Sequence, residues 1–88
     1  MTFKIIKMTR DENGWVSFTI NGCKGMAKFY GEPSVHSIKG TAISKLQIIK
    51  KGAADWGPDN TIYNYDRGDD VNRLPKGMFE YLISFFRF

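Results

Sequence analysis

Between Glu32 and Asp70 the chain concentrates side chains that a small sheet does not need for packing. Glu32-Pro33-Ser34, Ser44-Lys45-Leu46 and Tyr63-Asn64-Tyr65-Asp66-Arg67-Gly68-Asp69-Asp70 interrupt otherwise strand-like sequence, and loops of this kind carry function more often than packing. Three chemistries can be drawn from them. Asp66, Asp69 and Asp70 are close enough in sequence to share a hard cation through oxygen ligands, but they lack the alternating ligands and distal Glu of a calcium loop. Aspartates beside glycine more commonly stabilise turns, so no metal is expected. His36, the single histidine, could be combined with Ser34, Ser37 or Ser44 and with Asp66 into a hydrolytic triad, yet no nucleophile elbow frames them. An anion site is the third. Lys39, Lys45 and Arg67 would supply charge, Ser34 or Ser44 hydrogen bonds, and Trp56, Tyr63 or Tyr65 a stacking face. The glycines form neither a P-loop nor a dinucleotide fingerprint, so no cofactor is implied.

The elements that must position these residues follow from turn signals. Asn13-Gly14 and Asn21-Gly22 separate three strand-like segments, Thr2 to Arg10, Trp15 to Ile20 and Lys24 to Tyr30, and Asn-Gly suits the positive φ of tight hairpins. In the second segment Val16, Phe18 and Ile20 alternate with Trp15, Ser17 and Thr19, which implies one buried and one wet face. Gly31 to Gly40 reads as a loop around Pro33. Strands are expected over Thr41 to Lys50 and Thr61 to Asp66, joined by a long turn containing Gly52, Gly57 and Pro58. Arg67 to Asp70 reads as a turn. Beyond Pro75, a favoured first helical residue, Met78, Phe79, Leu82, Phe85 and Phe86 recur at helical spacing, and Met78, Leu82, Phe85 and Phe86 are expected to meet the sheet. The fold class is α+β: a five-stranded antiparallel sheet, a three-strand N-terminal meander plus two further strands, packed by one C-terminal helix.

Eighty-eight residues make one domain, residues 1–88. Thirteen aromatic side chains, seven Phe, four Tyr and two Trp, supply enough apolar area to fold without staples. Cys23 is the single cysteine, so no internal disulfide can form and a reducing cytosol is expected. It reads as an ordinary strand thiol. No apolar run is long enough for a bilayer span or a signal peptide. Charge is uneven, +6 over residues 1–51 and −2 over residues 52–88. A basic front half is compatible with an anionic partner, or with lysines that simply point outward from solvated strands.

The pattern Phe29-Tyr30-x-Glu32-Pro33-Ser34-x-x-x-Ile38-x-Gly40-x-x-Ile43-Ser44-Lys45-Leu46, followed by Tyr65-Asp66-Arg67-Gly68-x-Asp70, resembles a family of small uncharacterised proteins of bacteria and their phages, over about the middle half of the chain. Members often carry tryptophan where this chain has Asp69. The resemblance implies a compact unit from a bacterial or viral source and brings no activity with it. With no catalytic motif in view, the expected function is that of a small non-enzymatic binding protein, encoded by a phage or mobile element. It would inhibit or sequester part of a host pathway such as antiviral defence. The expected partner is a host protein or a nucleotide-like ligand, met through Glu32, Ser34, His36, Ser44, Lys45, Tyr65, Asp66 and Arg67. Arg67 heads that group because its planar fork pairs bidentately with phosphate or carboxylate. The alternative is a basic nucleic-acid-binding module using Lys24, Lys28 and Lys45. No membrane is expected. A homodimer is as compatible as a monomer with an open sheet and a terminal Phe-Phe-Arg-Phe.

Overall fold

The computed structural model describes residues 2–29, 37–38, 41–66 and 69–87, with 69–71 described by backbone alone. The described residues form six strands in sequence order across one antiparallel sheet: β1 (Ile5–Arg10), β2 (Trp15–Ile20), β3 (Cys23–Phe29), β4 (Ile43–Ile49), β5 (Thr61–Asp66) and β6 (Asp69–Asn72). One helix, α1 (Met78–Phe85), follows. The α+β class and the antiparallel sheet β1–β5 with its C-terminal helix are as the sequence implies. The short β6 is an addition: residue 69 pairs with Tyr65 instead of remaining in the turn, residues 71 and 72 pair with Asn64 and Tyr63, and residue 70 falls in the irregularity between them.

The two Asn-Gly pairs act differently. At the second, Asn21 (φ 49°) and Gly22 (φ 86°) both take left-handed conformations, as a two-residue hairpin turn between paired Ile20 and Cys23 requires. The Asn21 side chain also accepts from Lys4 N and donates to Thr2 O, which fastens the start of the chain. At the first pair only Gly14 has positive φ (89°). Here Asp11 Oδ1 accepts from the backbone of Asn13 and Trp15 at 2.8 and 3.0 Å, closing a wider turn with an aspartate side chain.

Alternation gives the sheet two unlike faces. One face carries Val16, Phe18, Ile20, Ala27, Leu46, Ile48 and Tyr63, all buried, and receives Met78 and Leu82 from α1 together with Phe86. Phe86 lies 5.4 Å from the rings of both Phe18 and Phe29, and the Tyr81 hydroxyl accepts from Ile5 N at 3.2 Å. Phe85 departs from expectation. It is 46% exposed, since Phe86 takes the last inward place at this end of the helix and the Phe85 ring rests outside it, 5.0 Å from Phe86 and 6.0 Å from Tyr81. No helix among the described residues is long and apolar enough to cross a membrane.

Candidate ligand-binding face

The face opposite the helix is built from the other half of each strand. The register places Trp15 against Lys28, Lys28 against Lys45 and Lys45 against Asp66, so these four form one row across β2 to β5. A second row runs Ser17, Met26, Gln47, Asn64, and a third runs Thr19, Lys24, Ile49, Thr61. Ile49 and Thr61 are buried although they lie on this face. The long connection between β4 and β5 folds over them.

That connection is tied down from below. Gln47 Nε2 donates to the Trp56 carbonyl and to Thr61 Oγ1, both at 3.0 Å, and Thr61 Oγ1 donates to the Gly57 carbonyl at 3.1 Å. Asp55 Oδ1 accepts from Gly57 N at 2.9 Å and from Asn60 Nδ2 at 2.8 Å. A backbone so held can present a side chain at little further ordering cost. The side chain presented is the Trp56 indole, 37% exposed.

Two adjoining grooves result. One, of about 180 Å³, is bounded by Trp15, Met26, Lys45, Gln47, Asn64 and Asp66; the other, of about 220 Å³, lies between Gln47, Asn64, Trp56, Pro58 and Thr61. They share Gln47 and Asn64, with a tryptophan on either side. At one end Lys28 Nζ sits 5.6 Å from the centre of the Trp15 ring, a cation–π arrangement, and also donates to the Asn13 carbonyl. Trp15 is thus steadied by a neighbour as Trp56 is by its loop.

The sequence-derived residues divide into four groups. Lys45 and Asp66 stand on this face, directly opposite one another. Tyr65, one residue from Asp66, packs its ring against the core, as alternation requires, and still borders the first groove. Ser44 is a correction: it falls in the β-bulge between Lys28 and Phe29 of β3, has no partner residue in the ladder, and is only 1% exposed. Its Oγ, without a hydrogen-bond partner among the described residues, is withdrawn from any surface ligand. Glu32, Ser34, His36 and Arg67 lie outside the described residues, as do the side chains of Asp69 and Asp70; both the triad drawn through His36 and the cation cluster depend on them. Among the described residues no three His, Cys, Asp or Glu side chains group as metal ligands.

Lys24, Lys28 and Lys45 share the helix-free face, with Lys28 and Lys45 adjacent and Lys24 two rows away. Of the three aromatic residues considered for stacking, Tyr63 is fully buried and Tyr65 is partly buried against the core, whereas Trp56 stands exposed. Cys23 is buried as well, and that burial raises its thiol pKa, against a smaller lowering by Lys51. Trp15, Met26, Gln47 and Asn64 were not among the sequence-derived site residues. The alternation of β2 already put an indole on the wet face, which was the available signal; the amides gain meaning only from the register.

Residues 14–84 match the family model described as domain of unknown function (DUF7678). The chain belongs to this family. The match runs from the β1–β2 turn into α1, so the whole row from Trp15 to Asp66 lies within the DUF7678 domain. No curated protein and no solved structure matches the chain.

Proposed function

We propose that this DUF7678 protein is a small non-enzymatic binding protein, carried by a phage or mobile element, that works in the cytoplasm of a bacterial host by occupying a component of a host pathway such as antiviral defence. Its contact surface is the helix-free sheet face. The observation that carries the reading is the row Trp15, Lys28, Lys45, Asp66 beside two open grooves. A sheet face needed only for solubility has no use for two half-exposed indoles in a domain this small, where aromatic area is the main source of core stability. The burial of Ser44 and Cys23 supports a binding role over a nucleophilic one. The sheet edges β1 and β6 leave room for a homodimer through strand pairing.

A second reading, a nucleic-acid-binding module, is supported by the common face of Lys24, Lys28 and Lys45, since such lysines would gain affinity by releasing counterions from phosphates. Native mass spectrometry of the protein purified from its own host tests both. It reads co-purified small molecules, nucleic acid, partner proteins and copy number, for wild type and for Lys45→Glu. A companion present with wild type and lost with Lys45→Glu supports the face. An identical set of companions with both proteins moves the contact surface elsewhere.

A further inference from the structure

We infer that the two grooves hold single-stranded nucleic acid, with Trp15 and Trp56 as base-stacking residues and Lys45, Lys28 and Lys24 as phosphate contacts. This rests on the helix-free face being the contact surface and names its ligand.

Charge supplies the first argument. The described ionisable side chains of the three rows are Lys24, Lys28 and Lys45 against Asp66 alone, so the face attracts a polyanion. Geometry supplies the second. Trp15 stands on β2 and the grooves extend to β5, three strand spacings away, or about 14 Å at the usual separation. That span exceeds one nucleotide and suits successive bases of a strand. Chemistry supplies the third. Indole faces stack on any base, so a strand can be held without sequence readout, while the floor between them sets the amides of Gln47 and Asn64 beside Met26, which offers a base both hydrogen-bonding groups and an apolar contact. A duplex keeps its bases stacked inward. It could meet the lysines but not the tryptophans.

Fluorescein-labelled dT12 and U12, a 12-base-pair DNA duplex and AMP, titrated against the whole chain, test the assignment. The expected result is binding of dT12 or U12 that weakens by about 20-fold between 50 and 200 mM salt, from three phosphate contacts on a single strand. Trp56→Ala and Trp15→Ala should each weaken it by about 5- to 150-fold at fixed salt, and Trp56→Phe and Trp15→Phe should retain most of it. The phenylalanine variants keep the test decisive should Trp15→Ala fail to fold. Duplex bound as tightly as dT12, with both tryptophan variants unchanged, would overturn the inference in favour of bare electrostatics. AMP competing at concentrations equal to dT12 would overturn it in favour of a mononucleotide site. No binding at 20 mM salt would also overturn it, and the native mass spectra then separate the two levels. A companion still lost with Lys45→Glu leaves the face standing with another ligand, whereas unchanged companions remove the face itself.

Discussion

Gly25 and Phe18 are direct cross-strand partners on the core face, and a Cβ on Gly25 would fall 2.3 Å from Phe18 Cζ. The aromatic ring occupies the space that the glycine leaves open. Through Phe18 the same packing reaches Phe86, 5.4 Å away, so this pair helps seat the end of the helix on the sheet. Gly25→Ala should cost about 1 to 3 kcal/mol, the usual range for overpacking a filled core. Phe18→Leu in the Gly25→Ala background should recover part of the loss, because neighbouring sites couple. Chemical denaturation of the two single variants and the double variant measures this; additive losses would show that the contact does not limit stability.

The helix offers a contrast between two residues three positions apart. Leu82 is 2% exposed and Phe85 46% exposed. Leu82→Ala should cost about 2 to 5 kcal/mol by leaving a cavity under α1. Phe85→Ala should cost about 1 kcal/mol, consistent with loss of ring contacts to Tyr81 and Phe86 at the surface. Melting curves that reversed this order would place Phe85 in the core.

Much of this fold could be read before any coordinates. Val16, Phe18 and Ile20 alternate with wet-face residues, and Asn21-Gly22 can hardly be anything but a tight turn. The failures have local physical causes. Residues 69 and 70 are aspartates, poor strand formers, and β6 exists because β5 offers an edge to which residues 69, 71 and 72 pair while residue 70 is left in an irregularity. Ser44 looked like a surface hydroxyl because a period of two hides a bulge, and one extra residue is enough to change where a side chain points. Phe85 fits the helical spacing, but spacing says nothing about where the sheet ends beneath the helix. The candidate face was half visible. Composition and motif point to Lys24, Lys28, Lys45 and Asp66, whereas Trp15, Gln47 and Asn64 acquire a role only once β2 to β5 lie side by side.

Cys23 provides a pH-dependent prediction. Burial raises its thiol pKa above the ordinary value, with Lys51 opposing through a backbone hydrogen bond and its charge. The folded protein therefore holds the thiol proton to higher pH than the unfolded chain does. Stability from this group is fully present below the unfolded thiol pKa and is lost as pH rises through the folded one. Wild type should lose more stability than Cys23→Ser on going from neutral to alkaline pH, and iodoacetamide should label the native thiol slowly. Parallel pH profiles for the two proteins would show that the thiolate is not penalised. Since Cys23 lies outside both grooves, Cys23→Ser should leave ligand binding unchanged.

Gln47 links the floor of the grooves to the display of Trp56. Its amide nitrogen spans the Trp56 carbonyl and Thr61 Oγ1, so Gln47→Ala removes two anchors of the connection between β4 and β5 while leaving the aromatic residues in place. Each lost hydrogen bond is worth about 0.5 to 1.5 kcal/mol, and because one end is partly exposed the combined cost should fall near the lower end. The more telling change should be local. Amide exchange over residues 51–60 should accelerate, and the Trp56 fluorescence should shift toward that of a solvated indole, with the strands around Trp15 still protected. If the grooves work as a single site, oligonucleotide affinity should fall in Gln47→Ala although no proposed stacking ring or lysine has been removed. Unchanged exchange in residues 51–60 would mean that the Asp55 and Asn60 contacts alone hold the connection, and that Gln47 serves the face only as part of its floor.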